Sequence, residues 1–208
     1  MVSLDAISSS YFLDKNYSTK CHNYIPGYTK LFDPVRQTVK TMLEIGIGSV
    51  ENGQMCGVVP LGYKTGNSLR CWRDYFPNAI IYGIDIYEHS LNEDRIKTYV
   101  ADQSNGIELD AVVHQIKAPL DIIIDDGSHE CKHQVYSFMV LEKYLSPNGI
   151  YVIEDIQPSS INGFLDLSHF PGQFRDYIKK NYTIEYFDTR KDYNRVDDFM
   201  MAFKPIRR

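Results

Sequence analysis

The sequence has few cysteines, four in 208 residues at positions 21, 56, 71 and 131. None forms a Cys-x-x-Cys pair or a zinc-type spacing. That excludes a disulfide scaffold and a thiolate metal site, and it fits reduced thiols in a reducing compartment. No apolar run approaches the ~20 residues that span a bilayer, so no membrane partner is expected. Met1 to Ser10 lacks a basic stretch followed by an apolar core, so no secretory leader is expected and the chain reads as cytoplasmic. There is no concentrated basic run, and the formal net charge is −5. Duplex nucleic acid demands a basic face, so no nucleic-acid partner is expected. Repeats and low-complexity tracts are also lacking, and no Gly-x-Gly-x-x-Gly cradle for a pyrophosphate occurs.

What is present is a globular composition, 43% hydrophobic and 24% charged, with 16 tyrosines. Apolar, β-branched runs read as strands at Met42–Gly48, Ala79–Asp85, Ile96–Asp102, Leu120–Asp125 and Ile150–Asp155. Helical stretches intervene at Asn67–Tyr75, Ile107–Gln115 and Glu130–Leu145, the last ending at the turn Ser146-Pro-Asn-Gly149. Near-continuous apolar strands alternating with helices imply parallel βαβ units covered on both faces. After the fifth strand the rhythm changes. A helix at Gly172–Asn181 precedes Thr183–Asp188 and Asp198–Phe203, two strands joined by a polar loop, which read as an antiparallel hairpin. The expected fold is a doubly wound, Rossmann-like α/β sheet, mostly parallel, with a C-terminal antiparallel hairpin. The first 25 residues carry the least signal.

Each of the first five strands ends in an acid or a glycine turn, and open α/β sheets bind ligands beyond the carboxyl ends of their strands. Glu44-Ile-Gly46-Ile-Gly48 is a turn that lets a ligand approach the backbone closely. Asp85, about 40 residues further on, suits the hydroxyls of a ribose, and Asp102-Gln103 suits an adenine edge. In this order, without a phosphate loop, they describe an adenosine site for S-adenosylmethionine rather than NAD. A second constellation is Asp125-Asp126-Gly127-Ser128-His129 with Glu154-Asp155 one strand on. Neighbouring strands lie about 4.8 Å apart, so these acids converge, and like charges so close call for a proton or a cation. Oxygen donors suit Mg²⁺, with Mn²⁺ or Ca²⁺ as alternatives. His129 is placed to take a proton from a hydroxyl at that site; His133, one turn on, reads as a surface residue.

Leu43-Glu-Ile-Gly-Ile-Gly48, Asn67-Ser-Leu-Arg-Cys-Trp72, Tyr82-Gly-Ile-Asp-Ile-Tyr87, Asp125-Asp-Gly-Ser-His129 and Ile150-Tyr-Val-Ile-Glu-Asp155 together resemble the metal-dependent macrolide sugar O-methyltransferases of the mycinamicin type. The similarity takes in Tyr28 to Arg36 and covers roughly residues 25 to 160. It implies a class I methyltransferase; the length fits a single such domain over residues 1–208, with residues 1–25 read as an N-terminal cap or an oligomer arm. The resemblance implies Mg²⁺ on Asp126, Glu154 and Asp155 and His129 as general base. Glu44, Gly46, Ser68, Asp85, Asp102, Gln103 and Asp125 would line the cofactor site. Two departures stand out: no counterpart of the macrolide enzymes' N-terminal domain is recognised, and Ser49–Gly66 is long with its own composition. The expected acceptor is therefore a sugar-containing small molecule: a nucleotide sugar, a glycan or a glycosylated metabolite. Homo-oligomerisation is compatible with the tyrosine content. N-methylation of an amino sugar and a non-catalytic nucleotide-binding module stay open as alternatives.

Overall fold

The computed structural model describes residues 1–50, 62–89, 91, 93–193 and 195–206. Cys56, most of the Ser49–Gly66 stretch and the Arg207-Arg208 end lie outside the described residues. Strands β1 (Thr41–Ile45), β2 (Ile80–Asp85), β3 (Ile96–Val100), β4 (Leu120–Asp125), β5 (Leu145–Ile153), β6 (Tyr182–Asp188) and β7 (Phe199–Pro205) form one sheet. Their order is β3-β2-β1-β4-β5-β7-β6. The first five run parallel, and β7 is antiparallel to both β5 and β6. This is the doubly wound sheet with a terminal hairpin that the alternation of apolar runs predicts.

Alternation along each central strand sends side chains to two separate cores. Leu43, Ile45, Ile123, Tyr151 and Ile153 pack beneath α4 (Gly106–Ile116), α5 (Cys131–Leu141), α6 (Pro158–Leu165) and α7 (Gly172–Asn181). Met42, Ile122, Ile124 and Val152 pack beneath α1 (Leu4–Ser10), α2 (Ile25–Phe32) and α3 (Asn67–Tyr75). The short α8 (Arg190–Tyr193) stands between the hairpin strands. Among the described residues no helix is long and apolar enough to cross a membrane.

Three local readings need correction. The helix expected to reach residue 145 ends at Leu141, followed by a 3-10 turn at Glu142–Tyr144. Ser146-Pro-Asn-Gly149, read as a turn before the strand, lies inside β5. Leu120 pairs with Leu145 and Ile122 with Ile150, so β4 advances two residues while β5 advances five. The surplus bulges outward, which accommodates Pro147 without a missing central ladder bond. Helix α6 was not foreseen. Its first residue is Pro158, whose fixed φ suits a helix start but which reads as a breaker in isolation.

Candidate active site

The carboxyl ends of β1 to β5 open onto one cavity of about 790 Å³. Gly46 and Gly48 leave β1 with φ of +81° and +67°, a region closed to most side chains. A Cβ on Gly46 would lie 2.0 Å from the Asp126 carbonyl oxygen, so glycine lets the ends of β1 and β4 meet. One part of the cavity is walled by Gly46, Ser68, Asp85, Asp102, Gln103 and Ser104. Asp85 accepts the backbone N–H groups of Ile47 (3.3 Å) and Tyr87 (3.0 Å). Asp102 accepts the N–H and hydroxyl of Ser104, both at 2.7 Å, and these hydrogen bonds hold its carboxyl below the usual range.

Two of the expected cofactor residues stand behind that wall. Glu44 is fully buried and accepts from Ser68 Oγ (2.6 Å) and Trp72 Nε1 (3.1 Å). Burial pushes its carboxyl up to about 7. Asp125 is also fully buried, accepting from Gln103 Nε2 (2.6 Å) and Ser137 Oγ (2.5 Å), with burial raising it to about 6. Gln103 Oε1 in turn accepts the Ser128 N–H at 2.9 Å. Both ends of its amide are thus engaged in holding the turn after β4.

The remaining cavity wall carries the acids and the imidazole. His129 Nε2 lies 3.2 Å from Asp126 Oδ1 and 3.6 Å from Asp155 Oδ2. His129 and Asp155 hold φ of +57° and +49°, backbone strain of the kind that concentrates at functional sites. Burial alone would depress the imidazole. The Asp126 hydrogen bond and the charges of Asp155 and Asp126 outweigh it and raise His129 to about 10. Asp126 is driven down to about 2: burial opposes ionisation, but Lys15 and His129 overcome it.

Sequence reasoning missed a set of side chains that close around these acids from the other side. Lys15 Nζ donates to Glu154 Oε2 at 2.7 Å and to Asp126. Tyr28 donates to Glu154, and Tyr24 donates to Asp155 Oδ1 at 2.5 Å. His22 Nδ1 sits 3.5 Å from Asp155 Oδ1 and 2.6 Å from Asp198 Oδ1. Burial disfavours the His22 cation, yet the Asp198 hydrogen bond and the Asp155 charge raise it to about 9. Lys15, His22 and Tyr24 come from the stretch with the least sequence signal, and nothing in their local spacing marks them.

Among the described residues, Asp126, His129 and Asp155 offer donor atoms within 4.8 Å of one another, as do His22, Asp155 and Asp198. Asp198 Oδ2 is buried without a hydrogen-bond partner. Carboxylate oxygens with a single imidazole suit a hard divalent cation such as Mg²⁺ or Mn²⁺, so the donor set fits one. Glu154 belongs to neither set; it lies beside the first, behind the cavity wall, with its two oxygens held by Tyr28 and Lys15. Gly46, Ser68, Asp85, Asp102, Gln103, Asp126, His129 and Asp155 therefore share one cavity, while Glu44, Asp125 and Glu154 support it from within.

No protein-family model matches the chain. It is 40% identical over 139 residues to the 8-demethyl-8-alpha-L-rhamnosyl tetracenomycin-C 2'-O-methyltransferase of Streptomyces olivaceus, a match covering 66% of this chain and 34% of that protein. It is 37% identical over 166 residues to the mycinamicin VI 2''-O-methyltransferase of Micromonospora griseorubida, covering 77% and 38%. The chain thus spans little more than a third of the length of these curated relatives. Among solved structures, the MycE methyltransferase of the mycinamycin pathway, in complex with Mg and SAH, superposes with a TM-score of 0.74 at 28% identity. That superposition covers 99% of this chain and 55% of the other. The O-methyltransferase TomG of Streptomyces achromogenes, at 14% identity and a TM-score of 0.56, shares the fold. Sheet order, terminal hairpin and sequence similarity together place the chain among the class I methyltransferases, as a homologue of the mycinamicin- and tetracenomycin-type sugar O-methyltransferases.

Proposed function

We propose that the chain is an S-adenosylmethionine-dependent, Mg²⁺-assisted O-methyltransferase acting on the hydroxyl of a sugar, carried by a nucleotide, a glycan or a metabolite. The observation that carries the reading is the meeting of Asp126, His129 and Asp155 on one wall of the cavity whose other walls present Gly46, Asp85 and Asp102. The similarity to proteins named as sugar O-methyltransferases, and to a structure holding Mg and SAH, supports it.

When bound, S-adenosylmethionine supplies a methyl group activated by its sulfonium, and a divalent cation lowers the pKa of an oxygen it touches. Asp85 would take the ribose hydroxyls, with Gly46, Ser68 and the Asp102-Gln103 corner around the rest of the cofactor. Glu44 and Asp125 would hold that wall in place. Asp126 and Asp155, with Glu154 beside them, would hold the cation, and His129 would accept the proton released by the acceptor hydroxyl. A base must be neutral to act. The same two carboxylates that raise His129 are those a cation would engage, so cation loading and base strength are coupled at this residue.

The test is direct. His129→Ala should retain calorimetric binding of S-adenosylhomocysteine and lose about 10²- to 10⁴-fold in turnover, the usual contribution of a general base. EDTA should abolish methyl transfer to an acceptor found by screening nucleotide sugars and glycans for the mass of a methyl group, and Mg²⁺ should restore it. Full activity in EDTA would redirect the reading toward an amino-sugar nitrogen, which needs less help from a cation. S-adenosylhomocysteine binding without any turnover would favour a non-catalytic module.

A further inference from the structure

Lys15 is a lysine only 2% exposed, and lysine is almost never buried unless paired. Its ammonium takes one oxygen from each of two acids at the proposed cation site: Oδ2 of Asp126, one of the proposed ligands, and Oε2 of Glu154, which lies beside them. The other oxygen of Asp126 faces His129, on the side shared with Asp155. The ammonium and a divalent cation would therefore address Asp126 from opposite sides, while Glu154, its other oxygen held by Tyr28, backs the ammonium. The lysine is not free to withdraw. Its carbonyl accepts the Tyr24 N–H at 3.0 Å, and the Asp14 carbonyl before it accepts the His22 N–H at 2.8 Å. Asn16, after it, is buried and donates to Ser8 Oγ (2.6 Å) and the Asp5 carbonyl (3.2 Å), locking the loop to α1.

We propose that Lys15 is a built-in counter-cation that keeps the acid cluster folded with or without a divalent ion and, by charge repulsion, holds the affinity for that ion down. This rests on the metal reading given above. Two unit charges of like sign a few ångströms apart repel measurably even at high effective dielectric, and a divalent ion doubles the effect. A lysine fixed beside the ligands therefore trades tight retention of the cation for a site that survives its loss. Lys15 is accordingly a tuning residue, acting through Asp126 and Glu154.

The experiment is a Mn²⁺ titration followed by electron paramagnetic resonance, paired with thermal melts in EDTA and in Mg²⁺. Three chains are compared: the wild type, Lys15→Met and Lys15→Gln, the last retaining a hydrogen-bond donor without the charge. Wild type should melt only slightly lower in EDTA than in Mg²⁺, because a weakly held ion adds little stability. Both variants should bind Mn²⁺ roughly tenfold more tightly. Both should also melt lower in EDTA and recover in Mg²⁺. A merely structural lysine would weaken cation binding in the variants instead. If wild type binds Mn²⁺ and neither variant binds it more tightly, the counter-cation role is overturned while the metal reading stands. If wild type binds no Mn²⁺ at all, the metal reading itself falls.

Discussion

Glu44 shows how a single side chain can set a pH dependence. Its carboxyl is fully buried, and its level of about 7 exceeds the ordinary glutamate value of 4.5. Between those values the folded chain binds a proton that the unfolded chain has released. Stability from this group therefore falls as pH rises through the window. Glutamine at the same place keeps an oxygen for the Trp72 N–H, offers its amide N–H to the Ser68 hydroxyl oxygen, and does not titrate. Glu44→Gln should gain on wild type between pH 5 and pH 8, by on the order of 2 kcal/mol in urea unfolding. Parallel shifts of both midpoints over that range would remove the argument. The residue scale is also where sequence was least informative. Asp126, His129 and Asp155 stand next to strand ends, where an acid after an apolar run draws notice. Lys15 lies 111 residues from Asp126 and 139 from Glu154, and no local pattern announces a contact of that span.

At the scale of elements, the turn after β1 is the most exacting. Gly46→Ala would place a methyl group 2.0 Å from the Asp126 carbonyl at a φ of +81°, so either the turn or the end of β4 must move. We expect a lower melting temperature together with loss of S-adenosylhomocysteine and Mn²⁺ binding, since both halves of the cavity hang on that contact. A stable variant that still bound both would refute it. Helix α5 offers a purely structural counterpart. Phe138 is fully buried, its ring 4.8 Å from Tyr151 and 4.6 Å from Phe203. Phe138→Ala should destabilise by about 3–5 kcal/mol by chemical denaturation. The strands and the helices at 67–75 and 172–181 were legible because apolar period and length agree. The end of α5 and the start of β5 were not. Pro147 and Gly149 signal a turn locally, and only pairing of Leu145 with Leu120 makes that stretch part of a strand.

For the whole molecule, ligand binding should appear as added stability. A ligand that binds only the folded chain raises its melting temperature with concentration. S-adenosylhomocysteine should do so and NAD should not; the reverse order would dismiss the adenosyl-methionine site. The sheet's free edges are guarded differently. β6 carries Glu185, which meets both Lys30 and Lys204 at 2.6 Å, and charges of this kind discourage strand addition. β3 presents Val100 at 56% exposure.

The strand order has a further consequence for how the protein is made. β7 follows β6 in sequence yet lies between β5 and β6. Until it leaves the ribosome, the apolar run Ile150–Ile153 has hydrogen-bonding groups on one side with no neighbour, the condition under which nascent chains associate wrongly. Completion of the sheet must therefore await synthesis of Phe199–Pro205. A polypeptide stopped after residue 188 should scatter light and pellet more readily than one that carries Phe199–Pro205, so this strand governs yield as much as it does architecture.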